Sequence, residues 1–249
     1  MHLTETCDEN TPHMILHVET TPATTHDMKM TDVIHEELEQ KQLLPSEHLM
    51  DAGYVDGEHM VNSKKQYDIE LVGPVALNGT WQAKAANGFD ISQFEIDWEH
   101  HTVTCPEGQT SRKWTPRKDF QHFEVIRAQF GKADCLACPF RSQCTHSATN
   151  PRQIIFRTQE QHEAIQTARQ QQTTKEFKER YDQRAGIEGT ISQGVRAFDL
   201  RDSRYRGDTK THLQHIFIAT AMNVTRLFRW SRGDTPFQPR ISRFAALAA

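Results

Sequence analysis

Between residues 13 and 72 the chain alternates short β-rich runs with helical pattern, each closed by a residue that cannot continue it. No other feature restricts the fold as much. His13-Met-Ile-Leu-His-Val-Glu19 is rich in β-formers and reads as a strand. Over residues 31–42, Val33, Ile34, Glu37, Leu38 and Gln40 recur at helical spacing, with Thr31-Asp32 as the expected N-cap. Pro45 stops that helix, Glu47-His-Leu-Met50 is a short strand running into Asp51, and Gly53 permits a sharp turn just beyond. Tyr67 to Val72 reads as a further strand, closed by Gly73-Pro74. Strand, helix, strand, helical turn, strand implies an α/β sheet with parallel pairing.

The pattern then changes. Asn78-Gly79 marks a turn, and Phe94-Glu-Ile-Asp-Trp98 and His101-Thr-Val-Thr-Cys105 both alternate, as the arms of a hairpin turning at Glu99-His100 would. Phe123-Glu-Val-Ile126 and Ile154-Ile-Phe156 are expected strands, so this stretch reads as a small β-rich insertion. From Thr158 the chain turns helical. Thr158-Gln-Glu-Gln161 has the form of a capping box, and Phe177, Tyr181, Arg184, Glu188 and Ile191 line one face of a second helical segment. A long helix is expected over 209–230. Its apolar stripe of Leu213, Ile216, Phe217, Thr220, Val224, Leu227 and Phe228 is of the kind that packs on a core. The expected divisions are 1–77, 78–157, 158–232 and a flexible tail at 233–249.

A chain of 249 residues, 36% hydrophobic with a mean hydropathy of −0.71, fits a soluble globular protein rather than a disordered one. No apolar run approaches the roughly 20 residues that span a bilayer, and the polar, acidic start is no signal peptide. The expected location is therefore cytoplasmic, with no membrane partner. The net charge of −4 hides an asymmetry: residues 1–72 carry 15 acids and 4 bases, residues 171–249 carry 14 bases and 8 acids. A basic C-terminal part in an acidic chain suits a polyanion-binding face, though a solvated mixed-charge surface has the same composition.

Tyr181, Arg184 and Glu188 stand at i, i+3 and i+7, which puts them on one face of a helix. A carboxylate flanked by a cation and a phenol suits a divalent metal held beside a phosphate. Asp51, between an apolar run and a glycine turn, is either a second such carboxylate or an ordinary turn residue. Four of the five cysteines cluster as Cys105, Cys135-Leu-Ala-Cys138 and Cys144. A Cys-x2-Cys knuckle lets two thiolates reach one tetrahedral Zn2+, with Cys105 and either Cys144 or His146 completing the shell. Free thiols and a redox pair remain open alternatives. No dinucleotide, nucleotide-triphosphate or nucleophile-elbow motif is present, which argues against those enzyme classes.

Several segments, taken in order, resemble the C-terminal part of bacterial insertion-sequence transposases of the DDE class. They are His2-Leu-Thr-Glu-Thr-Cys7, His17-Val-Glu-Thr-Thr-Pro-Ala23, Leu44-Pro-Ser-Glu-His-Leu-Met-Asp51-Ala-Gly-Tyr54 and Asp134-Cys-Leu-Ala-Cys-Pro139. Arg184-Ala-Gly-Ile-Glu-Gly-Thr-Ile-Ser-Gln-Gly194 and Lys210-Thr-His-Leu-Gln-His215 continue the set. The resemblance implies an RNase H-like core, incomplete here, carrying a β-rich cysteine-containing insertion and followed by C-terminal helices. It implies Asp51 as the second and Glu188 as the third acid of a Mg2+ (or Mn2+) site, with Tyr181 and Arg184 on the DNA phosphate. The family's signature continues with a lysine seven residues after the glutamate. Val195 stands there, so the contact is expected from Arg196. The implied activity is metal-dependent cleavage and strand transfer at transposon ends, by a protein that commonly acts as a dimer. The family's first aspartate lies upstream of the His2 segment, so the chain is expected to be a truncated form, inactive alone; Asp27 is the remaining early acid of interest. A non-catalytic, zinc-stabilised DNA-binding protein is the alternative.

Overall fold

A computed structural model describes residues 1–8, 10–85, 87–120 and 122–233. The expected tail after Gly233 lies outside the described residues. In chain order the first elements are β1 (His2–Glu5), β2 (Ile15–Glu19), α1 (Met30–Gln40), β3 (Glu47–Leu49), α2 (Gly57–Tyr67) and β4 (Glu70–Val72). Next come α3 (Trp81–Lys84), β5 (Glu95–Asp97), β6 (Thr102–Thr104), β7 (Lys113–Lys118), β8 (Glu124–Gln129), α4 (Lys132–Ala137), α5 (Arg141–Cys144) and β9 (Gln153–Arg157). The chain closes with α6 (Gln159–Gln171), α7 (Lys175–Asp182), α8 (Gly186–Ala197) and α9 (Asp208–Ser231). The fold is mixed α/β, with small sheets and several helices. No helix among the described residues is long and apolar enough to cross a membrane.

Two compact units divide the chain. The first comprises Met1–Val55, Asn62–Gly73 and the residues from Thr173 onward; the second comprises Asp56–Val61 and Pro74–Gln172. In the first unit β1 and β2 pair antiparallel, with Leu3 opposite Val18 and a register shift at Glu5. β3 and β4 pair in parallel, His48 opposite Leu71, as strands joined through a helix must. Ile34 and Leu38 of α1 are fully buried. A polar chain runs through the same core: Ser63 meets His35 at 3.2 Å, and His35 meets His48 at 3.1 Å.

The local details differ from expectation where tertiary partners compete with local ones. A 3-10 turn, Asp27–Lys29, leads into α1. Thr31 therefore lies inside the helix, and its hydroxyl donates to the Tyr54 carbonyl at 2.8 Å instead of capping. Tyr67 ends α2 rather than opening a strand, because Asp68 adopts a left-handed φ of 55° and breaks the helix there. Thr158 is the N-cap of α6 but makes no side-chain capping bond, so the expected capping box is not formed. Gly53 has no left-handed φ; what it provides is room, since a Cβ there would stand 3.3 Å from Oδ2 of Asp27.

The largest departure is in α9. Its buried residues are His215, Ala219 and Met222, while Leu213, Phe217, Val224 and Phe228 are exposed. Polar anchors set that rotation. Asn223 accepts the Ile15 N–H and donates to the Ile15 carbonyl, both at 2.9 Å, so it pairs with β2 as a strand would. His215 meets the Thr20 hydroxyl at 2.8 Å one end of the helix away. Ile15, Ala219 and Met222 then pack together between these bonds.

In the second unit β5 and β6 form the expected hairpin, Ile96 opposite Val103. β7, β8 and β9 form an antiparallel sheet in that order. The unforeseen β7 contains Pro116, which an edge strand tolerates because its missing N–H need not face a neighbour. Phe94, Val103, Ala128, Phe130, Ile154 and Phe156 make the core of this unit.

Candidate active site

Asp51 is placed by β3. The ladder runs one residue past the strand, where Met50 N–H donates to the Val72 carbonyl at 2.8 Å. The chain then turns, with Tyr54 N–H donating to the Asp51 carbonyl at 2.9 Å. Met50 and Val55 are buried on either side, so the turn is held while the Asp51 carboxylate stays about half exposed.

The expected single helix over Tyr181, Arg184 and Glu188 is not one α-helix. α7 ends at Asp182, Gln183–Ala185 form a 3-10 turn, and α8 begins at Gly186. All of these residues keep right-handed φ and ψ, so the three side chains still gather. Arg184 Nη2 donates to Asp51 Oδ2 at 2.5 Å, and its Nη1 lies 3.6 Å from Glu188 Oε1. Tyr181 Oη donates to Asp51 Oδ1 at 3.4 Å. The guanidinium also stands 5.7 Å from the Tyr181 ring centroid, and Phe177 stacks on that ring. Burial works against the charge of Arg184, yet its hydrogen bond to Asp51 holds its pKa above the ordinary value. Burial likewise raises Tyr181, with Arg184 opposing and Asp51 adding to the shift. Both groups thus keep their protons at neutral pH, where Arg184 is the cation between two acids.

Arg180, which local pattern did not single out, ties the same helix to the sheet. It reaches Glu47 of β3 at 2.5 Å and Glu70 of β4 at 2.8 Å. Its signal was present as the spacing 180, 184, 188. A second unforeseen network joins β1, α8 and α9: Arg226 donates to Glu5 at 3.0 Å, to the His13 carbonyl at 2.7 Å and to Thr190 at 2.5 Å. Glu5 is almost wholly buried there. Beside the acids runs a cavity of about 760 Å³, lined by β1, β3 and residues 183–191, including Asp51, Arg184 and Glu188. β1 pairs only with β2 and β3 only with β4 among the described residues, so each of the two strands that line this cavity keeps one edge without a ladder partner.

Arg196 is exposed at the far end of α8, about 12 Å along the axis from Glu188. Asp27 lies in the 3-10 turn before α1, beside Gly53, and not on a strand. In the second unit Cys105, Cys135, Cys138 and Cys144 all line one cavity of about 30 Å³, walled by Phe89, Phe94 and Phe130. Burial pushes the Cys144 thiol up to about 11, against the opposing Arg152. His146 stacks on Trp81 at 3.9 Å instead of joining them. Among the described residues no group of three or more His, Cys, Asp or Glu is arranged to hold a metal ion.

A family model described as a transposase DDE domain matches residues 104–228, half of the chain. The match takes in Tyr181, Arg184, Glu188 and the four clustered cysteines; Asp51 lies outside it. No curated protein and no solved structure matches the chain.

Proposed function

The chain belongs to the transposase DDE-domain family, and from that premise we propose that Asp51 and Glu188 are acids of a site acting on the phosphodiester backbone of DNA. The observation that carries this reading is Arg184 bridging both carboxylates, with Tyr181 on the first. Two carboxylates are the oxygen donors that Mg2+ or Mn2+ prefers, and a bound ion there would supply charge stabilisation at phosphorus. Arg184, released from Asp51, and Tyr181 would take a DNA phosphate. Arg196, with Arg201, Arg204 and Arg206 beyond it, extends the basic track toward the rest of a transposon end.

In this reading the first unit is an RNase H-like core and the second an insertion in it. The site holds two acids where the reaction needs three, and the trench between the open edges of β1 and β3 is where a third, strand-borne carboxylate fits. The chain by itself therefore binds DNA but does not cut it. Mg2+- or Mn2+-dependent cleavage by the purified chain, abolished by Glu188→Ala, would overturn the inactivity. Mn2+ binding followed by calorimetry tests the site: Asp51→Asn and Glu188→Gln should each weaken it by at least about tenfold. Unchanged Mn2+ binding in both variants, with salt-dependent DNA affinity intact, would instead favour a non-catalytic DNA-binding protein stabilised by zinc. Zinc at Cys105, Cys135, Cys138 and Cys144 is part of either reading, supported by the four thiols lining one small cavity.

A further inference from the structure

Arg152, the residue before β9, carries a charge that nothing around it balances. Its side chain lines the small cavity shared by Cys105, Cys135, Cys138 and Cys144. Nη1 donates to the Cys144 carbonyl at 3.0 Å, and the guanidinium stands 5.8 Å from the centre of the Phe94 ring. Nε is buried with no hydrogen-bond partner. Among the described residues Arg152 forms no ion pair, and the two acids on the cavity wall do not serve it. Asp134 is held by Arg112 at 2.9 Å, and Glu107 is exposed. Asp90, farther off, gives its carboxylate oxygens to Ser92 and Asn78. Arg141, on the same wall, shows the contrast of an arginine used as a backbone clamp. It donates to the carbonyls of Cys135 at 3.1 Å, Ser147 at 2.6 Å and Asn150 at 2.8 Å. Arg152 makes one such bond. A cation sunk among apolar walls without an anion is costly, and the groups that face it are thiols.

We propose that Arg152 is the counter-charge of a four-thiolate zinc centre, holding the Cys144 ligand by its carbonyl and the sulfurs by its charge. The inference rests on the zinc reading given above. As Zn2+ binds, each of the four thiols gives its proton to solvent and its sulfur to the ion, and four thiolates on one Zn2+ leave two net negative charges. Between Phe89, Phe94 and Phe130 that excess is as unfavourable alone as the lone cation is without it. Arg152 and Arg141 together bring the sum to neutral. A guanidinium is suited to this place because it cannot shed its proton when the metal is absent. Arg152 touches no metal; it acts through the ligands and is a positioning residue of the centre.

Two measurements on the full chain test it: Zn2+ affinity, read by competition with a chromophoric chelator, and the melting temperature of the metal-free protein. Arg152→Gln keeps a donor for the Cys144 carbonyl and removes the charge. It should weaken Zn2+ binding by at least about tenfold. The metal-free variant should melt no lower than the unaltered chain, since an unpaired cation has gone. Arg152→Lys keeps the charge and should recover most of the affinity. An arginine that served only as a hydrogen-bond donor would lower the metal-free melting temperature and leave charge without influence. Arg152→Gln that binds Zn2+ as tightly as the unaltered chain therefore overturns the proposal. So does Arg152→Lys that binds no better than Arg152→Gln, or a metal-free Arg152→Gln chain that melts lower or does not fold. An unaltered chain that takes up no Zn2+ overturns the zinc reading itself, whereas each of the other results overturns only the role of Arg152.

Discussion

His48 sits in β3, three residues before Asp51, with its ring against His35 and only 8% exposed. Burial, then the neighbouring His35, lowers its pKa to about 3. In an unfolded chain it titrates near 6.5, so as pH falls the unfolded state takes up the proton first. The stability this neutral histidine allows is complete above about pH 6.5 and is lost progressively as pH falls toward 3. By pH 5 the loss is about 2 kcal/mol. Burial lowers His2, His17 and His215 in the same direction. Urea midpoints at pH 7.5 and pH 5 measure it, and His48→Leu should shrink the difference; equal midpoints in the unaltered chain would refute the argument. Local pattern marked the residues of the candidate site, while their roles came only from the resemblance. Asp51 is marked by a strand end and a turn, and Tyr181, Arg184 and Glu188 by helical spacing, both of which are local. Glu5 and Arg226 gave no such signal, because their pairing across 221 residues exists only once β1 and α9 are docked.

At the scale of elements, α9 shows how a correct helix can be assigned the wrong face. Hydrophobicity alone points to the band through Phe217 and Val224, but Asn223 supplies two hydrogen bonds to the buried backbone of Ile15 that no apolar residue could replace. Asn223→Ala leaves a buried N–H and C=O unpaired and should cost about 2–3 kcal/mol in urea denaturation. Val224→Ala, on the exposed face, should change the stability of a dilute sample by less than about 0.5 kcal/mol. Similar losses for the two would mean that α9 is not seated by Asn223. α7 and α8 carry the opposite lesson. A 3-10 turn breaks the expected helix, yet the cluster on Asp51 survives, since Arg180 pins α7 to Glu47 and Glu70 before the break.

For the molecule as a whole, the second unit holds its core together with six buried side chains, and the thiols of Cys105, Cys135 and Cys144 pack against it. A zinc ion on the four cysteines would add what so small a core lacks. Chain purified from zinc-supplied cells should contain about one zinc per molecule by elemental analysis. Cys138→Ser should lower that content and the melting temperature together. Metal-free protein with an unchanged melting curve in chelator would leave free thiols or a redox pair.

What the sequence by itself determined was local: β-rich and helical runs, the hairpin at β5 and β6, the parallel pairing of β3 with β4, and the spacing that groups Tyr181, Arg184 and Glu188. These follow from spacing and from turn chemistry within a few residues, so no distant partner was needed to read them. Only the tertiary structure decided which face of α9 is buried, where Thr31 sends its hydroxyl, and that Glu5 is neutralised by Arg226. Each of those outcomes turns on a polar group from far along the chain that must be satisfied once water is excluded. A one-dimensional pattern of hydrophobicity does not contain that partner.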